Sequence, residues 1–390
     1  MRWNESENVR WKVEIPGRGH STPVIWRDRV FLTTAIAEGE ASRPEVREGA
    51  HDNLTLTRLH RLVVLALNRR DGKVLWQRTV GEAVPHEGGH YTGSFASASP
   101  LTDGERLYVF FGSHGLYALD LDGNLLWQTD LGDMQTKHGH GEGSSPALFG
   151  DTLVVNWDHE GPSFLIALDK RTGKTRWRAA RDEPSSWATP IVVEHAGRQQ
   201  VIVSGTHRLR AYDLGTGEVV WECGGLSANI VASPVAGEGM VFAGSSYEKQ
   251  AMLAIRLEGA RGDITGGERV VWTRNRSTPY VPSPLLYRSA LYFLRHYQNI
   301  LFRLDSSTGE DRPGAMRLPE IGNVYASPVA AAGRIYITDQ DGDTLVLSDE
   351  ENPEVLALNR LDDHFSASAA VVGREIFLRG EEHLYCLAEP

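Results

Sequence analysis

The sequence has few cysteines, no long apolar run and no excess of positive charge. Only Cys223 and Cys386 occur in 390 residues, too few for a disulfide-stabilised scaffold. No apolar stretch approaches the roughly 20 residues of a membrane-spanning helix, and the start MRWNESENVRW lacks the apolar core of a signal peptide. The formal net charge of −11 argues against sequence-independent nucleic-acid binding, which requires a basic surface.

Familiar catalytic motifs are also missing. The chain has no G-x-S-x-G nucleophile elbow, so a Ser-His-Asp triad cannot be assigned. Glycine-rich phosphate loops are likewise absent. The stretch His86-Glu-Gly-Gly-His90 lies in a predicted loop, whereas the H-E-x-x-H zinc motif requires a helix. Motifs alone therefore identify no reaction.

What the sequence does contain is a repeat. A Ser/Thr-Pro pair, degenerate in its last copy, recurs at intervals of 77, 46, 44, 44, 50, 44 and 41 residues. Its eight copies are Thr22-Pro23, Ser99-Pro100, Ser145-Pro146, Thr189-Pro190, Ser233-Pro234, Ser283-Pro284, Ser327-Pro328 and Ser368-Ala369. A four-stranded propeller blade repeats at about 40–50 residues. The spacing predicts eight blades.

Each repeat has the pattern of four short strands. In the unit from Ser145 to Trp177, apolar runs rich in Val, Leu, Ile and aromatics are bounded by Gly, Asp or Pro, which is typical of strands rather than helices. One such sheet cannot bury both faces by itself, so it must stack on its copies. We therefore predict an all-β fold with a single domain over residues 1–390, an eight-bladed β-propeller of four-stranded antiparallel blades.

Three further features refine this architecture. The long first interval predicts an insertion over residues 35–57 in blade 1, acidic and mobile. Blade 8 has only three C-terminal strands, and Asn8 to Ile15 matches a fourth-strand pattern, so the N-terminal strand is predicted to complete the last blade and remove an open edge. Tryptophans that end the repeats are predicted to pack between blades: Trp76, Trp127, Trp177, Trp221 and Trp272.

The repeat resembles a known family. The pattern A-[LY]-[DN]-x-x-[TD]-G-[KE]-x-x-W, with its Ser-Pro starts, is similar to the pyrroloquinoline-quinone-type (PQQ-like) propeller repeat of quinoprotein dehydrogenases and of the BamB lipoproteins. The stretches PGRGHSTPVIWRDRVFLTTA, HGEGSSPALFGDTLV and IGNVYASPV further resemble poorly characterised secreted PQQ-like propellers of planctomycetes. The resemblance implies an extracytoplasmic, monomeric protein, although without an export signal in this chain a cytoplasmic location stays open.

The resemblance favours a binding protein over a quinoprotein enzyme. Quinoprotein enzymes are longer and usually carry an adjacent cysteine pair, whereas Cys223 and Cys386 lie 163 residues apart. We therefore expect no bound PQQ. Because the two cysteines fall in opposite blades, we also expect two free thiols.

The histidines are unevenly distributed over the predicted blades. Because strands alternate in direction, the loops into the inner strands and the loops between the second and third strands share one face, here called the top. Of 14 histidines, all except His195 fall in such loops. Long loops collect polar residues of every kind, which is one explanation; a functional top face is the other.

A functional top face would have a rim of residues that precede the inner strands. The predicted ligand-binding rim consists of His20, His140, Glu142, Trp187, Asn229, Tyr280, Asn323, Tyr325 and His364. Within it, the residues suited to a divalent metal are His20, His140, Glu142 and His364. Secondary candidates are His86, His90, His138 and His159.

Two classes of function follow. The first is a binding or scaffold protein that holds a protein, glycan or metal ligand on its top face. The second is an enzyme with a top-central site, either a metal- and His/Tyr-dependent polysaccharide lyase or hydrolase, or an oxidoreductase. We expect no nucleic-acid partner and no membrane span.

Overall fold

The structure, a computed structural model, describes residues 1–42, 51–54, 57–313 and 315–389. Its sheets are the eight predicted blades, arranged as a propeller. The N-terminal strand β1 (Val9–Glu14) belongs to the last blade. Blade 1 consists of β2 (Val24–Trp26), β3 (Arg29–Ser42), β4 (Thr57–Asn68) and β5 (Val74–Ala83), and blade 2 of β6 (Leu101–Thr102), β7 (Arg106–Phe110), β8 (Leu116–Asp120) and β9 (Leu125–Thr129). Blade 3 consists of β10 (Ala147–Phe149), β11 (Thr152–Trp157), β12 (Phe164–Asp169) and β13 (Thr175–Ala180). Blade 4 consists of β14 (Ile191–His195), β15 (Arg198–Ser204), β16 (Leu209–Asp213) and β17 (Val219–Cys223).

The second half continues the pattern with one addition. Blade 5 consists of β18 (Val235–Gly237), β19 (Met240–Ser245), β20 (Ala251–Arg256) and β22 (Val270–Arg274), and blade 6 of β23 (Leu285–Tyr287), β24 (Ala290–Leu294), β25 (Ile300–Asp305) and β26 (Met316–Arg317). Blade 7 consists of β27 (Val329–Ala331), β28 (Arg334–Thr338), β29 (Asp343–Ser348) and β30 (Val355–Arg360). Blade 8 consists of β31 (Ala370–Val372), β32 (Glu375–Arg379) and β33 (His383–Ala388), together with β1. Strand β21 (Gly262–Asp263) pairs in parallel with β17 as a fifth strand of blade 4. Two 3-10 helices, Gly112–His114 and Lys137–Gly139, lie in top loops.

The ring closes as predicted. Strand β1 pairs antiparallel with β33, where Trp11 lies opposite Cys386 and Val13 opposite Leu384. The outer edge of blade 8 is therefore formed by the N-terminus of the chain. Cys386 and Cys223 are both buried free thiols, as expected.

The apolar core lies between blades rather than within one sheet. Each described core cluster joins side chains from two neighbouring blades, as when Leu116 of blade 2 packs with Leu153 of blade 3. Phe377 of blade 8 likewise packs with Leu32 and Leu65 of blade 1. Stacking of this kind buries the second face of each sheet, which a lone blade would leave in water.

Tryptophans connect five of the outer strands to the next blade. Indole N–H groups donate to main-chain carbonyls in the neighbouring turn over 2.8–3.0 Å, in the pairs Trp11–Arg69, Trp76–Leu121, Trp127–Lys170, Trp177–Leu214 and Trp272–Ser306. The turn glycine lies under the ring: Gly173 has φ of 69°, and a Cβ there would come within 2.6 Å of Trp127. These bonds confirm the predicted interblade packing for Trp76, Trp127, Trp177 and Trp272, and Trp221 also packs between blades 4 and 5 but without such a bond.

Trp221 forms a different contact. Its indole N–H donates to Gln200 Oε1 of its own blade at 2.9 Å, and the ring is fully buried. Blade 5 lacks the glycine turn, and the segment that contains β21 covers Trp221 instead.

The Ser/Thr-Pro starts form a hydroxyl ring around the axis. In seven steps the main-chain N–H of one start residue donates to the side-chain hydroxyl of the start residue in the next blade, over 2.9–3.0 Å. The chain of bonds runs Thr22, Ser99, Ser145, Thr189, Ser233, Ser283, Ser327 and Ser368. The hydroxyl thus satisfies a main-chain donor that the inner strands would leave unpaired.

The insertion predicted over residues 35–57 is partly regular. Strand β3 continues to Ser42, and Ala35 to Glu38 pair with Leu62 to Leu59 of β4. The expected loop therefore begins later than Ala35. Residues 43–50 and 55–56 of the predicted insertion lie outside the described residues. Among the described residues, no helix has the length and apolarity that a membrane crossing requires.

Candidate functional site

A cavity of about 120 Å³ lies beneath the loops of blades 1 to 4. We call it the top cavity. Its polar lining includes His60, His86, His90, His114, His140, Glu142, Asp158, Ser144 and Ser186. Its aromatic lining includes Phe95, Phe110, Phe111 and Trp187. A cavity with apolar walls and a few convergent polar groups is typical of small-ligand sites.

Four imidazoles from three segments meet at the rim of this cavity. This imidazole cluster consists of His51, His90, His138 and His140. Ring centroids of His140 lie 5.1 Å from His51, 5.0 Å from His90 and 5.4 Å from His138. His51 and His138 are 4.7 Å apart. Residues far apart in the chain thus form one surface of neighbouring rings.

Main-chain pairing between loops positions this cluster. Asn53 forms a β-bridge with His90, and the N–H of His90 donates to the carbonyl of His140 at 2.9 Å. The Asn53 side chain donates to the carbonyl of His138 at 2.7 Å, and its oxygen lies 3.0 Å from His140 Nδ1. His138 has φ of 58°, a left-handed conformation that turns the chain sharply before His140.

Glu142 brings a carboxyl group into the top cavity. One oxygen accepts a hydrogen bond of 2.6 Å from the main-chain N–H of Ser113, and the other accepts one from the Ser113 hydroxyl. The carboxyl group occupies space that only glycine leaves at position 112, because a Cβ on Gly112 would lie 1.3 Å from Glu142 Oε2. Gly112 also has φ of 58°. Its missing side chain therefore determines where Glu142 can lie.

The protein environment shifts the pKa values of His140 and Glu142 in opposite directions. Burial, with the neighbouring His90 and His138, lowers the pKa of His140 to about 4. Burial raises the pKa of Glu142 to about 7, against the Ser113 hydrogen bonds, which lower it. Near neutral pH, His140 is therefore uncharged and Glu142 is close to its midpoint. Titratable groups displaced in opposite directions are typical of functional sites.

A buried ionic network supports the floor of the top cavity. Asp158 accepts hydrogen bonds of 2.6 and 2.9 Å from Arg181 and one of 2.7 Å from Ser186. Both charged side chains are fully buried. Breaking such a pair leaves one charge uncompensated, which typically costs about 3–5 kcal/mol. Asp158 is therefore held rigidly where it borders the cavity.

Aromatic rings continue from one blade to the next on the other side of the top face. We call this the tyrosine arc: Tyr247, Tyr280, His296, Tyr297 and Tyr325. Successive ring centroids lie 5.8, 4.5, 4.6 and 5.8 Å apart, with interplanar angles between 19° and 40°. Every ring is at least partly exposed.

The tyrosine arc meets the imidazole cluster at both ends. The phenol of Tyr325 interacts with the Thr92 side chain, and neighbouring Tyr91 stacks on His90 at 4.7 Å. At the other end, the ammonium of Lys137 lies 5.9 Å from the centre of the Tyr247 ring. Arc, cluster and top cavity therefore form one continuous surface.

The structure brings together some of the sequence-predicted residues. His140, Glu142 and Trp187 line the top cavity, as do His86 and His90, and Trp187 donates to the carbonyl of Gly141 at 2.7 Å. His138 belongs to the imidazole cluster. Tyr280 and Tyr325 lie in the tyrosine arc, and buried Asn229 interacts with Tyr280. Buried His159 receives the N–H of Gln135 at 3.1 Å.

Other predicted residues lie elsewhere. The His20 ring faces blade 8, with Nε2 3.6 Å from Glu381 Oε1. The carbonyl of His364 accepts the N–H of the same Glu381. Exposed Asn323 lies between blades 6 and 7, and, like His20 and His364, it is not among the residues that line the top cavity. The four proposed metal ligands therefore do not converge, and among the described residues no three His, Cys, Asp or Glu side chains are arranged to hold a metal ion.

A family model covers almost the whole chain. The model described as outer membrane protein assembly factor BamB matches residues 1–137, 60–313 and 165–389. The chain belongs to this PQQ-like, BamB-like family. No curated protein matches it.

Solved structures agree on the fold of this BamB-family chain. BamB from Moraxella catarrhalis is 15% identical, with a TM-score of 0.63 over 97% of this chain and 96% of that one. Quinohemoprotein alcohol dehydrogenase from Comamonas testosteroni is 10% identical, with a TM-score of 0.64 over 99% of this chain and 78% of that one. The computationally designed Ika8 protein is 8% identical, with a TM-score of 0.63 over 96% and 98%. At such identities the likeness concerns the fold alone.

Sequence reasoning missed several residues of this BamB-family site. His51 was placed in a loop but not in the site, since only the bridge between Asn53 and His90 brings it to His138. Tyr247, His296 and Tyr297 fall in loops between second and third strands, and only residues preceding the inner strands had been assigned to the rim. Including both kinds of top loop would have found them.

Proposed function

We propose that this BamB-family propeller is a binding protein that holds a glycan on its top face. The observation that carries the proposal is the continuous surface formed by the tyrosine arc, the imidazole cluster and the top cavity. Sugar rings present apolar C–H faces that stack on aromatic rings, and hydroxyls that pair with imidazole, carboxyl and hydroxyl groups. The five rings of the arc cross three blades, which suits a chain of sugars rather than a single ring.

The charge of the surface favours a neutral glycan over an anionic one. Burial lowers the pKa of His140 to about 4 and lowers the pKa of His90 and His296, so these rings are mainly uncharged at neutral pH. Burial also raises the pKa of Tyr280 to about 12, so its phenol is uncharged too. The fixed positive charges that the structure places at this surface are those of Arg18 in the cavity lining, Lys137 beside Tyr247 and Arg295 beside His296, and the neutral imidazoles add none.

Titration calorimetry with a panel of neutral and uronic-acid oligosaccharides tests the proposal. We expect a neutral oligosaccharide to bind, and Tyr280→Ala and His140→Ala each to weaken binding about tenfold or more, the equivalent of about 1.4 kcal/mol. The matched control is His195→Ala, since His195 is the last residue of β14, next to the turn to β15 on the opposite face. If no glycan binds, or if all three variants bind like the parent, the proposal fails.

An enzyme that cleaves the glycan is the second candidate. It is favoured by Glu142 in the top cavity, whose raised pKa suits a general acid or base near neutral pH. Glu142→Gln should then abolish product release from a bound glycan while leaving its affinity within about threefold, measured by reducing-end and unsaturated-product assays. Equal product release by parent and Glu142→Gln would refute this role.

We also propose an extracytoplasmic location. It is supported by the family description, which names an outer membrane protein assembly factor, and by the resemblance to secreted planctomycete propellers. A protein partner on the same face remains the alternative ligand. Fractionation of cells producing the natural protein, followed by cross-linking of its top face, would test both points.

A further inference from the structure

Four arginines of the described chain are buried: Arg181, Arg210, Arg303 and Arg379. Arg181 is paired with Asp158, and Arg210 with Glu183 and Glu222. Arg303 donates to the carbonyls of Glu350 and Glu351. Three of the four guanidinium groups therefore have the partners that a buried charge requires.

Arg379 is the exception. It ends strand β32 and is the least exposed of the four at 1%. Its Nε, Nη1 and Nη2 atoms all lack a hydrogen-bond partner among the described residues. Burial lowers the pKa of this guanidinium group to about 10, so it is still charged at physiological pH. Leaving such a group buried and unpaired costs several kcal/mol.

The nearby carboxylates are already engaged. Asp363 and Glu381 are close enough for their charges to act on Arg379. Both oxygens of Asp363 accept hydrogen bonds from the 364–383 region, including the N–H and Nδ1 of His383. Oε1 of Glu381 accepts two hydrogen bonds from Arg18. These two groups offset part of the charge of Arg379 without pairing with it.

A second buried donor lies at the same place. His20 precedes the inner strand of blade 1, and its side chain is 9% exposed. Its Nε2 lies 3.6 Å from Glu381 Oε1, which is beyond hydrogen-bonding distance, and has no hydrogen-bond partner among the described residues. The charge of Arg379 acts on His20, so the two groups are neighbours across the interface between blades 8 and 1.

We propose that the interface between blades 8 and 1 binds a small monovalent anion, held by Arg379 with His20 as a further donor. Chloride or a single small carboxylate has the required chemistry, because each accepts several N–H donors at once. Multiply charged anions such as phosphate are disfavoured because Asp363 and Glu381 lie nearby. The anion would also bridge the seam at which the ring closes. This proposal does not depend on the glycan proposal.

Thermal unfolding of the full chain tests the site. We expect the melting temperature of the parent to rise between 1 and 100 mM chloride at constant ionic strength, with gluconate as the bulky replacement anion. Arg379→Gln should lose this rise, and an acetate series will show whether a carboxylate replaces chloride. A ligand that binds only the folded state raises the free energy of unfolding as the ligand concentration increases. The matched control is Arg317→Gln, a change of an exposed arginine in blade 6, which should retain the rise.

A crystallographic measurement keeps the proposal testable if Arg379→Gln does not fold. Parent crystals soaked in bromide should show an anomalous peak within hydrogen-bonding distance of the Arg379 guanidinium. A parent whose stability is insensitive to the choice of anion, or bromide-soaked crystals without a peak beside Arg379, would overturn the proposal.

Discussion

At the scale of single residues, the candidate site contains groups whose charged forms are disfavoured by burial. His140 is kept neutral by burial among other imidazoles, whereas Glu142 is kept partly protonated by burial in the cavity wall. Neither residue contributes to the repeat that builds the blades. Burial of such groups lowers the stability of the fold at those pH values where the group would be charged in water, and pKa shifts of this kind are common at functional sites.

Glu142 predicts a measurable dependence of stability on pH. Its pKa rises from 4.5 to about 7 on folding, so between these values the folded state binds more protons than the unfolded state. The free energy of unfolding therefore falls as pH rises through this range. Relative to the parent, Glu142→Gln should become progressively more stable from pH 5 to pH 8 in urea unfolding experiments. A stability difference that is the same at both pH values would contradict the raised pKa.

For His140 we predict that the free energy of unfolding changes with pH in the opposite direction. Its pKa falls from 6.5 to about 4 on folding, so the unfolded state binds more protons within this range, and the free energy of unfolding rises with pH. The advantage of the parent over His140→Ala should grow between pH 4 and pH 6.5. The same measurement on His195→Ala provides the comparison, since His195 lies on the opposite face and outside the imidazole cluster.

Residue positions also mark the limit of what the sequence could predict for the site. The repeat register placed His140, Glu142 and Trp187 before inner strands, and all three line the top cavity. The same register placed His20 and His364 at equivalent positions, yet both contact Glu381 instead. Register gives the height of a residue along its blade but not the direction of its side chain, which depends on neighbouring loops.

At the scale of elements, the tryptophan and the turn glycine form one unit. Five outer strands each contribute a ring, and the next blade contributes a glycine beneath it and a carbonyl beside it. The sequence predicted this contact because ring and turn recur together. It did not predict the exception at Trp221, since β21 comes from an unrepeated segment of blade 5.

Alanine substitutions at Trp177 and Trp221 should distinguish the two kinds of tryptophan contact by their cost in stability. Trp177→Ala removes a partly exposed ring and its hydrogen bond to Leu214, and we expect it to cost about 3 kcal/mol. Trp221→Ala removes a fully buried ring and should cost about 5 kcal/mol. Denaturant unfolding measures both. A larger cost for Trp177, or a loss of ligand binding by Trp177→Ala at unchanged stability, would show that its role has been misread.

At the scale of the whole molecule, the repeated unit determines the fold, whereas loops that depart from the repeat form the candidate site. Eight similar units can be counted in the sequence, and the number of blades and the closing strand follow from that count. The site lies where loops depart from the repeat, as at residues 51–54, 86–93 and 137–142. No internal copy exists for these loops, so their mutual contacts could not be read from the pattern.

Closure gives the last prediction. Deleting residues 1–16 removes β1, exposes the main-chain groups of β33 and takes Trp11 away from Gly72 in the blade 1 turn. An open strand edge promotes association with other chains, so the truncated protein should aggregate and lose cooperative unfolding. A synthetic peptide spanning Asn8 to Ile15 should restore both properties when added in excess, because it supplies the missing strand. The same peptide with Trp11 changed to Ala should restore them less well, since the ring packs across the seam between blades 8 and 1. A truncated chain that unfolds like the parent would refute the claim that β1 stabilises the ring.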